Sequence, residues 1–109
     1  MRKIEYKIDK YSTKLFAQDK KGKRKRWGDK VITLFSEGRE VGRAVFAAEG
    51  ENVPEPYFAD HMIYFFAPSS QYQAVKDLLE GNRPVYLVWE SVSDPKEPQD
   101  GDAYFFTPQ

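Results

Sequence analysis

The chain has 109 residues, with 17 Lys/Arg balanced by 17 Asp/Glu, seven Tyr, eight Phe, two Trp and no cysteine. That length is one domain, large enough to bury a core without a covalent staple, and the lack of cysteine excludes disulfides, thiolate zinc sites and a cysteine nucleophile. The aromatic content argues against disorder over most of the length, because such side chains repay the ordering entropy, and no stretch approaches the roughly 20 apolar residues of a membrane span.

In chain order, the first segment alternates, with Ile4, Tyr6 and Ile8 on one side and Lys3, Glu5 and Lys7 on the other. That is the pattern of a half-buried strand. Thr13 to Ala17 continues in the same mode, so the two segments form either one long strand bent near Asp9–Tyr11 or a hairpin. Asp19-Lys20-Lys21-Gly22 suits a type I turn. Val31 to Phe35 and Val41 to Ala48 flank "SEGRE", with Gly38 able to take positive φ, and this is the clearest hairpin. Gly42, inside the second of these strands, signals a bulge or a close contact. Glu49 to Asp60, with Gly50, Pro54 and Pro56, reads as a loop, and Met62 to Phe66 as a strand apolar on both faces.

One helix follows. Ser69 or Ser70 caps it, Ser70 and Gln73 match a capping box, and Gly81 with Pro84 stops it. Tyr72, Ala74, Val75, Leu78 and Leu79 share one arc, opposite Gln73, Lys76, Asp77 and Glu80, which marks a helix packed on a sheet. Val85 to Glu90 is a further strand, Ser91 to Asp102 an acidic loop and Ala103 to Thr107 a last strand. The predicted architecture is a single α+β domain over residues 1–109. It is a curled, mainly antiparallel sheet of six or seven strands, barrel-like at the limit of curling, with one amphipathic helix on it.

"IYFFAPS" (Ile63–Ser69) echoes "AYFFTPQ" (Ala103–Gln109). Alternation sends Tyr64 and Phe66 one way and Phe65 the other, and likewise Tyr104 and Phe106 against Phe105. Both faces of these strands therefore carry aromatics, and one helix covers only one face. The second face needs more sheet, a ligand or another subunit.

Charge is balanced overall but not along the chain. Residues 1–30 hold 12 Lys/Arg and 4 acids, leaving five cations and 13 acids for the remainder. The densest cluster is Lys20, Lys21, Lys23, Arg24, Lys25 and Arg26, followed by Trp27. Clustered cations release counterions from phosphates, and aromatics such as Trp27, Tyr11 and Phe16 offer stacking platforms for single strands. The same cluster also suits a solvated hairpin tip or a guard against edge-to-edge aggregation. The sole histidine, His61, follows Asp60 at a loop–strand junction and has no sequence partner that marks it as catalytic. Glu49, Glu51, Glu55 and Asp60, and then Glu90, Asp94, Glu97, Asp100 and Asp102, form acidic groups without the spacing of a calcium loop. The glycines are scattered at turns, with no phosphate-binding fingerprint.

The expectation is a non-enzymatic, cytoplasmic binding or assembly module with no cofactor, no metal and no membrane partner. It acts through protein–protein contacts, as a homodimer that uses Tyr64, Phe66, Tyr104 and Phe106. The alternative is single-stranded DNA or RNA binding through Lys20 to Trp27.

Overall fold

The structure is a computed structural model that describes residues 3–17, 29–48, 50–91 and 101–108. Eight strands and one helix appear among them: β1 (Lys3–Lys7), β2 (Lys10–Leu15), β3 (Lys30–Ser36), β4 (Arg39–Ala47), β5 (Tyr57–Ala59), β6 (Met62–Pro68), α1 (Tyr72–Glu80), β7 (Tyr86–Ser91) and β8 (Gly101–Phe106). They form two sheets, with order β1-β7-β8 and β2-β3-β4-β6-β5. The α+β class and the mainly antiparallel pairing agree with the sequence. The single curled sheet of six or seven strands does not. The sheet is divided in two, no barrel closes, and β5 lies inside the segment expected to be loop. Three residues after Pro54 and Pro56 are too few to show a period. No helix of the described residues is long and apolar enough to cross a membrane.

The division occurs at one peptide. The Ile8 amide donates to the Val85 carbonyl (2.9 Å), extending the β1–β7 pairing, and the next amide, Asp9, donates to the Phe35 carbonyl (3.1 Å), opening the β2–β3 pairing. The bent-strand reading of the first segments therefore holds, and they do not form a hairpin with one another. The β3–β4 hairpin turns on Glu37 and Gly38, at φ 53° and 78°. A two-residue turn with both centres at positive φ matches the twist of the flanking strands. Asp9 steadies the non-glycine position, because its carboxylate accepts the Glu37 amide at 2.7 Å.

The register of β3 against β4 slips between Leu34 and Phe35, so Val41 is an extra residue in the ladder. Gly42, next to this bulge, is also a close approach of the layers. A Cβ there would lie 2.7 Å from the Ile63 carbonyl oxygen and would overlap the Leu87 side chain. Beyond it, β4 runs parallel to β6, the one parallel pairing among the described strands.

The inner face of the five-stranded sheet is shared by two covers. At the β2–β3–β4 end lies α1, where Tyr72 meets Phe46 edge-on at 5.2 Å and the Lys30 ammonium sits 4.9 Å from the Tyr72 ring. At the β6–β5 end lies the three-stranded sheet, with Phe105 against Phe65 at 5.0 Å and Trp89 stacked on Phe58 at 6.4 Å. Both join one core of Ile32, Leu34, Ala44, Phe46, Ile63, Leu87 and Trp89.

The helix differs in detail from its expected arc. Val75 is its buried residue, Tyr72 and Leu79 pack beside it, Leu78 is half-buried, and Ala74 is exposed. The capping box does not form. Ser69–Gln71 is a 3-10 turn without a side-chain cap, and the Gln73 amide instead donates to Asp77 at 2.7 Å. Gly81 ends the helix in an extended conformation.

Val75→Ala removes two buried carbons from the helix–sheet contact and should cost about 1.5–2 kcal/mol. Ala74→Ser on the exposed side should change stability by about 0.5 kcal/mol or less. Equal urea midpoints for the two variants would mean that Val75 is not the packing contact. Gly42→Ala should cost about 1–3 kcal/mol by forcing backbone and Leu87 apart, and a wild-type midpoint for it would remove the close approach of β4 to β6 and β7.

Candidate functional site

The outer face of the five-stranded sheet follows from the register of the inner one. With Tyr11, Ile32, Leu34, Ala44 and Ile63 turned inward, alternation turns their neighbours outward. Three rows then cross the strands. The first is Lys14, Val31, Val45 and Phe66. The second is Ser12, Thr33, Arg43, Tyr64 and Tyr57. The third is Lys10, Phe35 and Glu40.

These rows interleave cations with rings. The Lys10 ammonium is 6.0 Å from the Phe35 ring centre and that of Lys14 is 5.9 Å from Phe16. Both are at the outer limit of cation–π contact. Arg43 is held by Glu40, with Nε and Nη2 both donating to Oε1 at 3.2 Å. On the far side of Arg43, Tyr57 stacks on Tyr64 at 4.4 Å and lies 5.9 Å from Phe66. Burial pushes the Tyr57 phenol above its ordinary pKa, Tyr64 adds to the rise, and the Arg43 charge opposes it. A hollow of about 330 Å³ opens between Phe16 and Phe35, lined also by Ser12, Lys14, Thr33, Arg43 and the acid that holds it, Glu40.

The three-stranded sheet presents a different outer face. Lys3 pairs with Glu5 at 3.0 Å, and the Tyr104 hydroxyl donates to Glu90 at 3.1 Å. Burial, then the Glu90 contact, raises the Tyr104 pKa. Here Lys3 is neutralised by Glu5, while Lys7 on the same side of β1 is in no ion pair among the described residues. On the five-stranded sheet Lys10 and Lys14 instead lie over rings, and among the described residues neither is in an ion pair.

Several residues singled out in the sequence can now be placed. Phe65 and Phe105 meet in the core, so Tyr64 with Phe66 and Tyr104 with Phe106 point away from it, on the outer faces of two different sheets. The four do not share one surface. Tyr11, considered as a stacking platform, is on the inner side beside Glu80 of α1. His61 is exposed. With Asp60 it makes the β5–β6 turn at φ 66° and 53°, and its backbone carbonyl accepts the Tyr6 hydroxyl at 3.0 Å. Among the described residues no group of three or more His, Asp or Glu is arranged to hold a metal.

Lys20, Lys21, Lys23, Arg24, Lys25, Arg26 and Trp27 lie outside the described residues, as do the Asp19–Gly22 turn and the acids of 92–100. The ends of the 17–28 connection are placed. The Phe16 amide donates to Asp29 at 2.8 Å and the Asp29 amide to Phe46 at 3.1 Å, so the connection leaves and returns side by side, next to Lys14. Lys10, Lys14, Phe35, Arg43 and Tyr57 were not singled out in the sequence. The signal that bears on them is alternation, but it needs the strand pairing to show that the residues share a face. Compared with protein-family models, curated proteins and solved structures, the chain matches none.

Proposed function

We propose that this chain is a non-enzymatic binding module whose working surface is the outer face of the five-stranded sheet, and that its partner is nucleic acid. One observation carries the reading: Lys10, Lys14 and Arg43 share a face with Phe16, Phe35, Tyr57, Tyr64 and Phe66. Cations supply phosphate affinity, and flat rings supply surfaces on which bases stack. The face spans five strands, about 19 Å from first to last at about 4.8 Å for each of the four spacings. The β2–β3 connection, which carries the six cations of Lys20–Arg26 in its sequence, starts and ends at one margin of that face. A cytoplasmic location goes with this reading.

A second reading keeps protein as the partner, through a homodimer. It is favoured by exposed apolar side chains, Leu15 at 66% and Phe106 at 48% of their full exposure. An obligate dimer would need on the order of 2,000 Å² of buried surface, and light scattering at micromolar concentration separates the two readings. A two-chain mass with no oligonucleotide binding overturns the nucleic-acid reading, and a one-chain mass with binding overturns the dimer.

Binding of a single-stranded oligonucleotide should weaken log-linearly with salt. The slope should be about −1.4 or steeper, at roughly −0.7 for each phosphate met by Lys10 and Lys14, because Arg43 is engaged by Glu40. Glu40→Gln releases Arg43 from its acid. It should tighten binding and steepen the slope by up to about 0.7. Unchanged affinity in Glu40→Gln would remove Arg43 from the surface.

A further inference from the structure

We infer that the hollow between Phe16 and Phe35 is a seat for one unpaired base, so that the ligand is a single strand and not a duplex. This rests on the nucleic-acid reading above. The hollow, at about 330 Å³, is at the small end of the range for ligand pockets, roughly 300–1,000 Å³, which suits a single flat group and not a helix. Its two rings lie at opposite margins, each with a lysine ammonium about 6 Å from the ring centre. A base that stacks on either ring brings its phosphate to the adjoining lysine, so ring and charge act on one nucleotide together. The hydroxyls of Ser12 and Thr33 lie between the rings. A hydroxyl both donates and accepts, so it meets any base edge without selecting one. The seat is therefore tolerant of sequence.

A duplex does not fit this surface. Its bases are paired and stacked, and they are read from outside by an element that enters a groove, an α-helix or a two-stranded ribbon. The one helix of the described residues lies on the opposite side of the sheet, against Phe46 and Lys30. The outer face itself offers rings and cations in the plane of the sheet. From the hollow, the row Ser12, Thr33, Arg43, Tyr64 and Tyr57 leads across the strands to the second group of rings.

The test uses the full chain and three probes of equal length at low salt: an oligothymidylate, the same backbone made abasic, and a duplex. The thymidylate should bind about tenfold or more tighter than the abasic strand, because stacking is lost with the bases while the phosphates remain. It should also bind tighter than the duplex. Phe16→Ala, at a position already 37% exposed, should keep the wild-type melting temperature and lose most of the thymidylate's advantage over the abasic strand. Lys14→Ala should weaken both strands and reduce the salt slope by about 0.7. Lys76→Ala, on the helix side, should leave all three affinities unchanged. Equal binding of thymidylate and abasic strand, a preference for duplex, or an unchanged thymidylate advantage in folded Phe16→Ala overturns the base seat while leaving the nucleic-acid reading in place. Failure of all three probes to bind overturns both.

Discussion

A five-stranded sheet is roughly 19 Å across, and a helix with its side chains is only about 10–12 Å wide. One helix of nine residues cannot cover such a face, and the rest of this structure depends on that mismatch. The uncovered half of the inner face needs a second apolar layer, and the chain supplies it by diverting its first strand and its last two into a separate sheet. Phe105 against Phe65 and Trp89 against Phe58 are the contacts where that second layer closes on the first. Tyr72 against Phe46 is where the helix does.

Two local features serve this shared cover. The chain changes sheets between Ile8 and Asp9, whose consecutive amides bond to different layers. The layers approach so closely at Gly42 that any side chain there would meet the Ile63 carbonyl and the Leu87 side chain. The bulge at Val41 lies beside it, and bulges re-aim strands and increase twist. Sheet division, bulge and glycine are three parts of one packing arrangement.

The outer surface is its consequence. A strand has period two, so fixing which residues face the core fixes which face away. With Leu34 and Ile32 inside, Phe35, Thr33 and Val31 are outside. With Tyr11 inside, Lys10 and Ser12 are outside. The proposed binding face is thus specified by core packing. The two outer surfaces differ in their electrostatics, one with Lys3 paired to Glu5 and Glu90 accepting the Tyr104 hydroxyl, the other with Lys10 and Lys14 near rings.

Where a signal is local, the sequence determined the outcome by itself. The alternation of Ile4 and Tyr6, the Gly38 turn, the helix from Tyr72 and the inward–outward split of the two Tyr-Phe-Phe segments all rest on neighbours within a few residues, and all appear in the structure. The short strand Tyr57–Ala59 carries too little pattern to show, and its existence rests on pairing with Met62–Tyr64. The capping box at Ser70 failed because a 3-10 turn occupies the helix entry. Which helix residue is buried most deeply, Val75, was decided by how the helix packs on the core, not by the arc alone. The division into two sheets, the parallel β4–β6 pair and the gathering of Lys10, Lys14, Phe35, Arg43 and Tyr57 on one face were likewise decided only in three dimensions. Strand order and register are long-range choices, made by competition among apolar faces for cover. No window of sequence contains both sides of that competition.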